Sequence, residues 1–99
     1  EPSAAVRARV VAARERQLAR AGAPNARLGQ RATAQHCRLS PGDQALLERA
    51  IEQLQLSARA MHRILRVART VADLEGADRI GTAHLTEALG YRNLDRGVG

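Results

Sequence analysis

Ser57, Arg59, Arg63 and Arg66 are the residues whose types and spacing point most directly to chemistry. If Ser57 caps a helix, Arg59 lies in its first turn, where the helix macrodipole opposes a positive charge by about 0.3–1 kcal/mol. The same turn presents backbone N–H groups without intrahelical acceptors, and these attract phosphate. An arginine there makes local sense when an anion binds beside it. Arg63 and Arg66 follow at i+4 and i+7 and extend a basic strip beside the apolar face. Arginine is frequent in this chain, so chance placement is the competing explanation for Arg59.

Other chemistries find less support. His36 and Cys37 are adjacent, whereas His62 and His84 fall on different helices, and no Cys-x-x-Cys or His-x-x-x-His pair supplies zinc-site spacing. No metal site is expected. A Cys37 nucleophile with a distant histidine base is geometrically open in any fold, but no other hydrolase feature accompanies it. A phosphate loop of the G-x-x-x-x-G-K-[ST] type requires lysine, and the chain has none. The acidic residues are scattered, without a carboxylate pair suited to glycosidase or nuclease work. The expectation is a chain that is not an enzyme by itself, with no catalytic residue and no cofactor of its own.

All sixteen basic residues are arginine, and the formal net charge is +6. This balance favours polyanions: nucleic acid, nucleotide phosphates or an acidic protein. An arginine-coated solvated surface arising from codon bias would look the same. The chain lacks Phe and Trp and has one Tyr, which weakens the case for single-strand binding by base stacking. One cysteine excludes an internal disulfide and suits a reducing compartment, so a cytoplasmic location is expected. No apolar run approaches the roughly 20 residues of a membrane span, and no membrane partner is expected. The chain opens on Glu1 rather than Met, without a signal-peptide pattern, and reads as a piece of a longer protein.

The elements that must position these residues are all helical. Pro2 and Ser3 open a helix to about Ala21, with Ser3 as cap, Gly22 as stop and a narrow stripe of Val6, Val10, Val11 and Leu18. So little apolar surface predicts that this helix docks against something outside the chain. Ala23 to Gln30 reads as a loop, and Arg31 to Cys37 as a short helical turn. Ser40-Pro41-Gly42-Asp43 signals a helix start, followed by Leu46, Leu47, Ala50, Ile51 and Leu54 on a buried face. Gln55 and Leu56 form a tight connection. Ser57 caps the strongest helix, which reaches Glu75 before Gly76 and carries a core stripe of Met61, Ile64, Leu65, Ala68, Val71 and Ala72. Ile80 anchors a short link. Thr82 caps a last short helix through Leu85, Ala88 and Leu89, and Tyr91 to Gly99 forms a basic, fraying tail. The fold class is all-α. The expected divisions are a linking helix over 1–22, a loop with a helical turn over 23–39, a helical subdomain over 40–92 and a flexible tail over 93–99.

The run from Leu56 to Leu74, LSARAMHRILRVARTVADL, resembles the C-terminal segment of the magnesium-chelatase-like AAA+ ATPase family, in particular its competence-protein branch. The likeness continues through Ile80, Thr82-Ala83-His84-Leu85, Glu87-Ala88-Leu89 and Tyr91-Arg92. It reaches back through Ala13-Arg14-Glu15-Arg16-Gln17 and Asn25 to His36-Cys37, so nearly the whole chain is covered. The resemblance implies a lid of four to five helices following an AAA+ core. Arg59, in the S-x-R pattern, corresponds to the sensor-2 arginine that contacts the ATP γ-phosphate. ATP and Mg2+ are implied for the full-length protein, with the Walker motifs and sensor 1 lying upstream. Implied partners are that core, neighbouring subunits of a homo-hexamer, and DNA whose branch junctions the motor moves. No catalytic role passes to Arg63, Arg66 or Arg69.

Two other classes stay open on the residues alone. One is a stand-alone arginine-rich helical module that neutralises DNA backbone phosphates. The other is a protein-interaction domain for an acidic partner.

Overall fold

Two serines set the register of the central helices. Ser40 accepts from the Asp43 N–H at 3.2 Å and starts a helix over Pro41–Leu54, while Ser57 accepts from the Ala60 N–H at 3.1 Å and starts one over Ala58–Leu74. Both are the caps expected from sequence. The computed structural model describes the backbone of residues 3–98 and the side chains of residues 3–91. Its elements are α1 (Ser3–Ala21), a 3-10 turn (Asn25–Arg27), α2 (Gln30–His36), α3 (Pro41–Leu54), α4 (Ala58–Leu74) and α5 (Thr82–Val98). No strand occurs among the described residues, and the all-α expectation holds.

Three of the helices, α1, α3 and α4, stop where the backbone turns left-handed. Gly22 (φ +72°) closes α1 with its N–H on the Leu18 carbonyl. At the end of α4, Gly76 (φ +76°) donates to the Asp73 carbonyl and Ala77 to that of Ala72, the paired bonds of a Schellman motif. A Cβ on Gly76 would also meet Arg16 Nη2 at 3.3 Å, so glycine serves both conformation and close approach there. At the end of α3 the left-handed residue is Gln55 (φ 53°), and Leu56 donates back to the Ile51 carbonyl.

Helix α4 is the hub. It packs against α1, the 3-10 turn, α2 and α5, while α3 packs on α5. Its buried Ile64, Leu65, Ala68 and Ala72 meet Leu28, Cys37, Leu47, Ile80, Leu85 and Ala88 in one core. Met61, on the expected stripe, is only half-buried, as are Leu46 and Ile51 of α3; all three pack on the edge of that core.

Four expectations change. Helix α1, expected to dock outside the chain, packs on α4 within it, and not through its valine stripe: Val6, Val10, Val11 and Leu18 are exposed, and Ala13 and Gln17 are buried instead. Thr82 does not cap α5. It is the first helical residue and donates to Asp43 Oδ1 at 2.6 Å, while His84 Nδ1 accepts from the Gly81 N–H at 2.8 Å. The last helix is not short, since α5 continues along the backbone read as a tail as far as Val98; Gly99 lies outside the described residues. Residues Glu1 and Pro2 also lie outside them, and Ser3, expected as the cap of α1, stands as its first helical residue.

Candidate functional site

Arg59 is the second residue of α4, exposed, with no acidic residue in that first turn. Ser57 Oγ takes the Ala60 N–H, and the Met61 N–H bonds to the Ser57 carbonyl. The N–H groups of Ala58 and Arg59 therefore face outward from an uncompensated positive helix end. The helical spacing of Arg59, Arg63 and Arg66 puts all three guanidinium groups along one side of α4.

That side faces two shallow concavities. One, of about 430 Å³, is lined by Ala26, Arg59, Arg63, Arg66, Val67 and Thr70. The other, of about 350 Å³, brings Arg59, His62 and Arg66 to Leu28, Gly29 and Gln30 at the start of α2. Arg59 and Arg66 border both, so they stand between α4 and the chain that crosses it. Among the described residues, no carboxylate lines either concavity. The surface is built to receive negative charge, and it has no donor set for a cation such as Mg2+, whose ligands are hard oxygens.

The opposite end of α4 carries an arrangement that sequence reasoning missed. Asp73, with its side chain fully buried, receives Arg20 through two bonds of 2.6 and 3.2 Å, Arg69 at 3.1 Å and Asn25 Nδ2 at 3.0 Å. Arg69 also donates to the carbonyls of Ala77 (2.8 Å) and Asp78 (3.1 Å). Asn25 Nδ2 reaches Thr70 Oγ1 at 3.1 Å, and its backbone N–H donates to Gln17 Oε1 at 2.9 Å. Burial lowers the pKa of Arg69, against the raising effect of Asp73.

This network fixes the 3-10 turn on α4 and so holds Ala26 in the wall of the arginine-lined concavity. One signal was present in the sequence: Arg69 falls one turn after Leu65, on the apolar face, where an arginine requires a buried partner. Its partner Asp73 stands at i+4 on the same helix, a spacing open to sequence reading; Arg20 and Asn25, which complete the network on Asp73, lie about fifty residues away along the chain and left no local pattern.

The remaining candidates separate. Cys37 is buried in the core, and burial pushes its thiol up to about 11, so it is not a thiolate nucleophile at neutral pH. His84 accepts from a backbone N–H through Nδ1, so its other nitrogen carries the proton and donates to Glu75 Oε1 at 2.9 Å. Among the described residues, no three His, Cys, Asp or Glu side chains group as metal ligands. No helix there is long and apolar enough to cross a membrane.

A helical domain with a capped, arginine-fronted central helix is thus the class that fold and site define. Residues 1–92 match the family described as magnesium chelatase, subunit ChlI C-terminal, and the chain belongs to that family. It is 49% identical over 96 residues to the competence protein ComM of Haemophilus influenzae, covering 97% of this chain and 19% of that protein. The uncharacterised protein YifB of Salmonella typhimurium is 49% identical, and that of Escherichia coli 47% identical, over the same length. The chain therefore spans about a fifth of the curated relatives it matches, and the matched stretch is their C-terminal part.

Proposed function

We propose that this chain is the C-terminal helical lid of a magnesium-chelatase-like AAA+ ATPase and that Arg59 is its sensor-2 arginine. The observation that carries the reading is the exposure of Arg59 in the first turn of α4, beside Arg66, on a surface without carboxylates among the described residues. The guanidinium donates to γ-phosphate oxygens and stabilises the charge that develops during hydrolysis. Mg2+ arrives with the nucleotide and is held by the core, because the lid surface offers it no ligands. Rotation of the lid couples nucleotide state to movement between subunits of a homo-hexamer. Helix α1 links the core to the lid.

The whole protein, on this reading, is a cytoplasmic DNA motor that moves branch junctions, and its similarity to a competence protein supports that assignment. The lid has no hydrolytic activity alone. The test is steady-state ATP hydrolysis by the full-length protein carrying Arg59→Ala. An arginine supplied to a phosphoryl-transfer site is worth about 10³–10⁵ in rate, and the expected loss is near or below the lower end, since this one also positions the lid. Arg49→Ala, an exposed arginine on α3, serves as the charge-matched control.

A further inference from the structure

A second basic concavity lies away from Arg59. It has a volume of about 450 Å³ and brings together Arg20, His36, Arg38, Arg69 and Arg79, with Asp78 as the one carboxylate in its lining. Arg69 is ten residues beyond Arg59, about 15 Å along α4 and on another face. The two basic surfaces are therefore distinct.

The chemistry of the lining is specific. Arg38 and Arg79 are exposed and have no ion-pair partner among the described residues. Arg69 is 4% exposed, and its Nε–H has no acceptor, although both terminal nitrogens of the same guanidinium are engaged. A buried charged donor without an acceptor is costly, and such groups in native proteins ordinarily have a partner. Asp73, behind Arg20 and Arg69, offsets one positive charge and Asp78 another, which leaves an excess of two among the four arginines.

We propose that this pocket is an anion site for a phosphoryl group. A carboxylate presents two oxygens in one plane and is satisfied by one arginine fork. Here guanidinium groups come from α1, α4 and the segments before α3 and before α5, so the donors approach from several sides. A tetrahedral phosphate, with three or four oxygens, suits that arrangement better. The phosphoryl group belongs either to a small phosphate compound or to a nucleic-acid backbone. The assignment stands apart from Arg59 and holds whether or not Arg59 senses nucleotide.

The experiment follows the arginine Nε–Hε signals of the 99-residue chain by NMR during titration with inorganic phosphate and, separately, with a short DNA duplex. Saturable perturbation of the Arg69 signal by phosphate, with a dissociation constant below about 1 mM, assigns a small phosphate ligand. Perturbation of that signal by DNA and not by phosphate assigns the backbone. In either case Arg38→Gln/Arg79→Gln weakens binding at least about tenfold, because charge-assisted bonds to two exposed arginines are lost. Each single variant carries part of that loss, with the amide spectrum unchanged. Arg49→Gln removes the same kind of charge outside the pocket and leaves the affinity intact. Equal weakening by Arg49→Gln, or no saturation of the Arg69 signal by either probe up to about 10 mM, overturns the site.

Discussion

The two ends of α4 use the same residue type in opposite ways. At the N-terminal end Arg59 stands in solvent on a surface without carboxylates among the described residues; at the C-terminal end Arg69 is buried and shares Asp73 with Arg20. The first end has a positive macrodipole with no acidic residue in its first turn, whereas at the second Arg20 and Arg69 share the one buried carboxylate of Asp73. An arginine-rich composition therefore says little by itself. What an arginine can offer a ligand depends on how much of its counter-charge the fold already supplies.

The largest expected effect falls at the buried end. Asp73→Ala removes the acceptor shared by Arg20, Arg69 and Asn25 and leaves a buried cation short of partners. Breaking a buried pair from one side costs about 3–5 kcal/mol, and urea unfolding should show a loss near the lower figure, since Arg69 keeps two carbonyl acceptors. A change below about 1 kcal/mol would mean that the network does not hold α1 and the 3-10 turn on α4.

Cys37 sharpens the same contrast through pH. Its thiol titrates near 11 in the folded chain against an ordinary value of 9.0, because burial disfavours the thiolate. The unfolded chain releases this proton first, so the thiol's contribution is complete below pH 9 and is lost as pH rises toward 11. The expected decline is about 2 kcal/mol across that window. Comparing Cys37→Ala with the parent isolates it: the variant, though less stable overall, should show a shallower decline, and an equal slope would contradict the assignment.

At the other end, Ser57→Ala should cost about 1 kcal/mol, the usual worth of a serine N-cap. Thermal unfolding gives the value, and Ser57→Asp should restore stability, whereas failure to do so would show that capping is not what Ser57 contributes.

The local grammar of the sequence was legible. Ser40 and Ser57 cap, Gly22 and Gly76 stop helices, and the α4 stripe is buried from Ile64 to Ala72, because each signal lies within a few residues of the element it controls. The exposed place of Arg59 in the first turn was legible for the same reason. Helix α1 was misread because apolar periodicity gives weight to Val6, Val10 and Val11, whereas the face that docks is built from Ala13, Gln17 and Arg20, two of them polar. Thr82 looked like a cap by residue type, but its hydroxyl is taken by Asp43, far away in the sequence. The Asp73 network was hidden for the same reason, since its members come from α1, the 3-10 turn and α4.

The smallest expected effect on stability belongs to Arg59, and there the account is tested most directly. Melting temperature and ATP turnover should be measured on the same preparations of full-length Arg59→Ala and its parent. Removal of an exposed arginine typically changes stability by no more than about 0.5 kcal/mol, or roughly 2–4 °C in a domain of this size. Turnover should nevertheless fall by up to about a thousandfold. Turnover at the parental rate, or a loss that merely follows unfolding, would contradict a phosphate-sensing Arg59.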